Sequence, residues 1–74
     1  MNVQVREKPP IESIDAVRVA IENAEAKLGE SGRVMVRYSG TESKARVLVE
    51  GPEAREVDSI AQTIANKLRG AIGA

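Results

Sequence analysis

The chain begins with a short alternation of apolar and polar residues. Val3 and Val5 alternate with polar neighbours, which is the period of a half-buried β-strand. The pair Pro9-Pro10 follows, and its fixed ring geometry and missing amide protons interrupt regular structure. The pattern therefore predicts one short strand before the prolines.

From residue 11 the apolar positions recur at steps of three and four, which is the spacing of one face of an α-helix. The positions are Ile11, Ile14, Val17, Ile21, Ala24 and Leu28. Ser13 or Asp15 is suited to cap the helix start, so the helix is predicted to begin between residues 11 and 15. Gly29 follows the last apolar position, where a left-handed residue commonly ends a helix.

The period of two returns in residues 33–38 and 45–50. One face of these two stretches is apolar and carries Val34, Val36, Tyr38, Ala45, Val47 and Val49. The polar segment between the stretches contains Gly40, so the two strands are predicted to form an antiparallel hairpin. The opposite face carries Met35, Leu48, Arg37 and Arg46.

A second helix is predicted after the hairpin. Gly51-Pro52-Glu53 opens it, with Pro52 suited to the first helical position. Its apolar face carries Val57, Ile60, Ala61, Ile64, Ala65 and Leu68. Gly70 and Gly73 are expected to weaken its end.

The order strand-helix-strand-strand-helix predicts an α+β fold, with two helices on one face of a small antiparallel or mixed sheet. Residues 1–74 are predicted to form a single domain, because 74 residues make one domain at most. A chain this short buries only about 60% of its unfolded surface, so its stability is expected to be modest. The other sheet face carries Met35, Leu48 and two arginines. That face is a candidate docking surface for a partner.

Composition excludes several kinds of chemistry. The chain has no cysteine and no histidine, which removes the thiolate nucleophile, the commonest general base and the commonest zinc ligand. Eleven basic and eleven acidic residues cancel, and Tyr38 is the only aromatic residue, so nucleic-acid binding is not favoured. No apolar run reaches the roughly 20 residues of a membrane helix, and no signal-peptide pattern is present. We expect a cytoplasmic protein that binds neither nucleic acid nor membrane.

The segment with the most chemical character runs from Arg37 to Arg46. Ser39 and Thr41 supply hydroxyl donors, and Gly40 permits positive φ and close approach of the backbone to a ligand. Successive amides in such a turn bind anions, and arginine matches phosphate oxygens with a rigid fork of N–H donors. These five residues are predicted to bind phosphate. On residue types alone, an ordinary hairpin turn explains the same loop at least as well.

The order of the residues favours phosphate binding. Arg-Tyr-Ser-Gly-Thr-Glu at 37–42, with Arg-Val-Leu-Val-Glu-Gly at 46–51, closely resembles the C-terminal domain of the phosphohexose mutases, and within them the branch that acts on glucosamine phosphates. The resemblance covers essentially the whole chain. Relatives that act on glucose or mannose phosphates tend to have asparagine in place of Gly40. The family usually has proline in place of Ser43, and this change is expected to loosen the loop without removing a phosphate donor.

The resemblance implies a role within a longer enzyme. Those enzymes interconvert the 6-phosphate and 1-phosphate of a hexose, here glucosamine, in the metabolism of peptidoglycan precursors. A phosphoserine and a magnesium ion in other domains carry out the transfer, so residues 1–74 are expected to hold no catalytic residue, metal or cofactor. The C-terminal domain, similar in fold to one repeat of the TATA-binding protein, grips the substrate phosphate that is not reacting.

By this resemblance the phosphate contacts are Arg37, Ser39, Gly40, Thr41 and Arg46, and the partners are the phosphosugar substrate and the enzyme's other domains. Glu42 is expected to order the loop. Lys44 is expected to be a solvated charge, with long-range attraction of the substrate as the alternative. The residues leave other functions open, including a free-standing anion-binding or regulatory module and a protein-interaction module that uses the uncovered sheet face.

Overall fold

The chain folds in the predicted order of strand, helix, strand, strand and helix. A computed structural model describes all 74 residues and contains β1 (Asn2–Gln4), α1 (Asp15–Leu28), β2 (Arg33–Tyr38), β3 (Lys44–Glu50) and α2 (Ala54–Ile72). Short 3₁₀ turns precede and follow α1, at Ile11–Ser13 and Gly29–Ser31. The α+β class is confirmed.

The three strands form one sheet in the order β1-β3-β2, and both pairings are antiparallel. The sheet is therefore antiparallel and not mixed. Val3 lies opposite Ala45, and Val36 lies opposite Val47. Val3, Ala45 and Val47 are buried, so the apolar alternation turns one side of the sheet toward the core.

Both helices pack on this buried side of the sheet. The core residues that they contribute are Val17, Ala24, Leu28, Ile60, Ala61, Ile64, Ala65, Leu68 and Ile72. No charged or polar residue is buried, so the core between the sheet and the helices is entirely apolar. Neither helix combines the length and the apolar character that crossing a membrane would require.

The ends of α1 differ in part from the prediction. Ile14 occupies the N-cap position, and no side chain caps the helix, so the predicted cap by Ser13 or Asp15 is wrong. The Ser13 hydroxyl instead donates to the Pro10 carbonyl at 2.6 Å. Gly29 ends the helix with a φ of 57°, as expected for glycine, but its ψ of −136° is not that of a left-handed helical residue.

The start of α2 also differs from the prediction. The helix begins at Ala54 with Glu53 as its N-cap, so Pro52 lies before the helix and not at its first position. Gly70 does not end the helix, which continues to Ile72. Ile72 is only 3% exposed, and its burial in the core outweighs the modest helix penalty of a glycine. Gly73 is the residue at which the helix stops.

The uncovered side of the sheet carries the residues that the alternation assigned to it. Three cross-strand pairs of β2 and β3 lie on it, namely Arg33 with Glu50, Met35 with Leu48, and Arg37 with Arg46. The first pair has opposite charges, the second is apolar and the third has like charges. This side of the sheet therefore changes in character along its length and becomes basic beside the hairpin loop.

Candidate functional site

Two arginines face each other at the loop end of the hairpin. The register places Arg37 directly opposite Arg46, and both side chains are exposed. Neither has a carboxylate within 4.0 Å, whereas Arg33 on the same side of the sheet is paired with Glu50. Like charges directly opposite one another destabilise a sheet. An anion bound between the two guanidinium groups would turn this repulsion into attraction.

A cleft of about 310 Å³ lies at this end of the sheet. Its lining residues are Asn2, Arg37, Tyr38, Ser39, Glu42, Lys44 and Arg46. Asn2 reaches it because β1 pairs with β3, which places Asn2 opposite Arg46. The Glu42 carboxylate is paired with the Lys44 ammonium at 3.0 Å. The two arginines are thus left without an anionic partner, and the cleft is suited to a doubly charged anion.

The loop is closed by the side chain of Ser39. Its hydroxyl oxygen accepts hydrogen bonds from the amides of Glu42 at 3.0 Å and Thr41 at 3.3 Å. This is the local bonding by which serine stabilises turns. The Ser39 hydroxyl proton remains able to donate. The amides of Gly40 and Ser43 have no acceptor within the protein, so the loop retains free donors.

The five residues predicted to bind phosphate fall into two groups according to whether they line the cleft. Arg37, Ser39 and Arg46 line the cleft, whereas Gly40 and Thr41 lie in the loop outside its lining. Gly40 does not adopt the positive φ that glycine permits, because Gly29 is the only residue with positive φ. The Ser39 side chain closes the turn without requiring a left-handed residue. A methyl group on Gly40 would meet no atom within 4 Å, so the space beside Gly40 is open.

Sequence reasoning did not identify Asn2 and Lys8 as site residues, and for Lys44 it offered long-range attraction of the substrate only as the alternative to a solvated charge. Asn2 joins the cleft through pairing between strands that lie far apart in sequence, and no local pattern reports this register. Lys8 lies near the loop, and its ammonium donates to the Ser39 carbonyl at 2.7 Å. The signal for Lys8 was the sequence Lys8-Pro9-Pro10, which fits the family resemblance and in which proline restricts the residue before it.

Tyr38 joins the loop end of β2 to the proline segment. Its hydroxyl donates to the Pro9 carbonyl at 2.6 Å, and its ring packs against the core. Burial raises the pKa of the Tyr38 hydroxyl above its ordinary value, and the nearby Glu7 carboxylate raises this pKa further. Ionisation of Tyr38 would therefore oppose the packing of residues 7–9 beside the loop.

The raised pKa of Tyr38 predicts a loss of stability in alkaline solution. The folded protein holds this proton more tightly than the unfolded chain, so the free energy of unfolding falls as the pH rises from about 10 through the folded pKa. Tyr38 is the only tyrosine, so ultraviolet absorbance reports its titration alone. We expect a higher midpoint in the folded chain than in urea, and a partial decrease in Glu7→Gln. A folded midpoint at or below the unfolded one would contradict this assignment.

Comparison with known proteins places this chain in a family. The sequence profile of the phosphoglucomutase/phosphomannomutase C-terminal domain matches residues 1–67, a span that includes the whole cleft. The chain belongs to this family. Because the match covers β1, both hairpin strands and most of α2, membership extends to the fold as well as to the loop.

Curated relatives agree with this membership. The chain is 55% identical over 73 residues to the phosphoglucosamine mutase of Anaeromyxobacter dehalogenans, a match that covers 99% of this chain and 16% of that protein. It is 46% identical over 74 residues to the enzyme of the same name from Chlamydia caviae, covering 100% of this chain and 16% of that protein. The phosphoglucosamine mutase of Protochlamydia amoebophila is 45% identical over 73 residues, with 99% and 16% covered. The chain thus spans about one sixth of the length of these family members.

Proposed function

We propose that this domain grips a substrate phosphate in a cytoplasmic phosphoglucosamine mutase, which interconverts glucosamine 6-phosphate and glucosamine 1-phosphate. The names of the relatives support the reaction, and the family match supports the position of the domain at the C-terminal end of a longer enzyme. The opposed pair Arg37 and Arg46 carries the proposal, because it is a pair of guanidinium groups without an anionic partner beside a preformed loop.

The chemistry of the cleft suits a phosphate that is held and not transferred. Two guanidinium forks and the Ser39 hydroxyl offer donors to a dianion, and the free amides of Gly40 and Ser43 lie in the same loop. Recognition by charge and donors, with few sugar contacts, accepts either phosphate of a bisphosphate intermediate. Binding energy from this remote phosphate would then orient the reacting end of the sugar.

The transfer itself is assigned to other parts of the enzyme. The family resemblance implies magnesium, but nowhere in these 74 residues do three or more carboxylate side chains come together. The residues of this domain therefore do not suit a magnesium site, and we assign no step of phosphoryl transfer to them. A phosphoserine, where the enzyme uses one, would also lie outside this domain.

An amide-resolved NMR titration with inorganic phosphate and with glucosamine 6-phosphate tests the proposal. We expect weak binding, with a dissociation constant of about 1 mM or higher, because most of the enzyme's cleft is absent from this domain. Shifts should concentrate at Arg37, Ser39 to Glu42 and Arg46. Titration with sodium chloride at matched ionic strength is the control for screening. A spectrum that responds equally to chloride and phosphate would contradict the proposal.

One observation favours a second use of the same side of the sheet. Met35 and Leu48 form an apolar pair in its middle, and Leu48 is 40% exposed. Such a pair suits docking of the other domains of the longer enzyme. If docking were the only function of this surface, phosphate would leave the amide spectrum unchanged, so the same titration separates the two proposals.

A further inference from the structure

The segment of residues 6–10 passes beside the phosphate loop and contacts it through one charged side chain. The Lys8 ammonium donates to the Ser39 carbonyl at 2.7 Å, and no carboxylate lies within 4.0 Å of it. This carbonyl shares a peptide group with the amide of Gly40. The peptide bonds of the chain are all trans, so this C=O and N–H point in opposite directions. Holding the carbonyl therefore also fixes the direction of the Gly40 N–H.

We propose that Lys8 is a positioning residue, which holds the Ser39–Gly40 peptide so that the Gly40 N–H is presented to the bound phosphate. The inference rests on the proposed phosphate-binding function of the loop. The Gly40 N–H has no acceptor within the protein, and the space beside Gly40 is open. A cation on the carbonyl also polarises the peptide, which makes its N–H a stronger donor.

The backbone that carries Lys8 is itself held on both sides. On one side, the Arg6 guanidinium donates to the Ala71 carbonyl at 3.0 Å and to the Gly73 carbonyl at 3.2 Å. On the other side, the Pro9 carbonyl accepts from the Tyr38 hydroxyl. A flexible lysine restrains a loop only when its own backbone is fixed, and these contacts meet that condition.

A charge effect without positioning would give a different result in a matched variant. Lys67 lies on α2, away from the cleft lining, and carries the same charge as Lys8. If Lys8 acted only by long-range attraction of phosphate, Lys67→Met would weaken binding to a similar extent at low ionic strength. Lys8→Arg keeps a donor on the Ser39 carbonyl, so this variant is expected to retain most of the phosphate affinity that Lys8→Met loses.

The experiment compares the unsubstituted chain, Lys8→Met, Lys8→Arg and Lys67→Met by NMR, with inorganic phosphate as the probe. Without phosphate, Lys8→Met should move the Gly40 amide resonance while the resonances of Ile64 and Leu68 stay in place, which shows that the core is intact. With phosphate, Lys8→Met should raise the dissociation constant about fivefold to tenfold, the size expected for the loss of one ordinary hydrogen bond. Lys8→Arg should stay within about twofold, and Lys67→Met should change neither quantity.

The outcomes separate this inference from the proposed function. An unsubstituted chain that shows no response to phosphate overturns both. If the chain responds and Arg37→Ala loses the response, but Lys8→Met binds as well as the unsubstituted chain, only the role of Lys8 is overturned. An equal weakening in Lys67→Met would likewise overturn positioning and leave a general charge effect.

Discussion

Replacing Arg37 with alanine is expected to weaken phosphate binding by about 100-fold. A hydrogen bond to a charged group contributes about 1.5–3 kcal/mol, and about 2.7 kcal/mol corresponds to that factor. Arg37 is exposed at a cleft where Arg46 is the only other cation without a carboxylate partner, so no neighbouring group replaces it. If the domain acts in a longer mutase as proposed, kcat/KM of that enzyme should fall by a similar factor, since the lost interaction would hold the substrate in the transition state as well.

The free energy of unfolding should rise in Arg37→Ala, although its phosphate affinity falls. Arg37 lies directly opposite Arg46, and removal of one like charge from a cross-strand pair relieves roughly 0.2–1 kcal/mol of repulsion. Urea unfolding of the isolated chain measures this change.

Arg33→Ala is the matched control for the loss of phosphate affinity, because Arg33 lies on the same side of the same strand but is paired with Glu50. Equal losses of phosphate affinity in the two variants would show that the surface acts only through its general charge.

Replacing Ile64 with alanine is expected to lower the free energy of unfolding by about 2–5 kcal/mol. Ile64 is fully buried on the face of α2 that packs against the sheet and α1. The loss combines the transfer energy of the deleted carbons with the cavity left between the layers. A domain of this length has a total stability on the order of 4–11 kcal/mol, so this one change removes much of it.

Val19→Ala is the control for the Ile64 variant. Val19 lies on α1 and is 45% exposed, so its truncation should change the free energy of unfolding by no more than about 0.5 kcal/mol. Urea denaturation followed by far-ultraviolet circular dichroism measures both variants. Equal changes in the two would mean that α2 does not pack as described here.

The elements of the fold were predictable because each has a strong local period. The spacing of apolar residues placed both helices and both hairpin strands, and it separated the buried and uncovered sides of the sheet. The helix ends were not predictable from capping residues. Ser13 bonds to Pro10 instead of capping α1, and burial of Ile72 carries α2 past Gly70. In both places a specific contact outweighed a weak local preference.

The candidate site was predictable where it depends on the hairpin and not where it depends on distant strands. Arg37 and Arg46 follow from the alternation, and the structure places them opposite each other. Asn2 and Lys8 reach the site through the pairing of β1 and the path of the segment after it, and both are long-range features. Gly40 does not use the positive φ open to glycine, since the Ser39 side chain, and not a left-handed residue, closes the turn.

The two outer edges of the sheet differ in how they are protected. The edge of β1 is covered, because Val5 pairs with Gly73 and the amide of Ala74 donates to the Gln4 carbonyl. The edge of β2 pairs with nothing beyond β3, and such an edge attracts strands from other molecules. Antiparallel pairing of two copies centred on Met35 would set Arg33 of one against Arg37 of the other. The charge of Arg37, which suits an anion in the cleft, thus also opposes pairing of two copies at this edge. A neutral residue at position 37 would remove this repulsion.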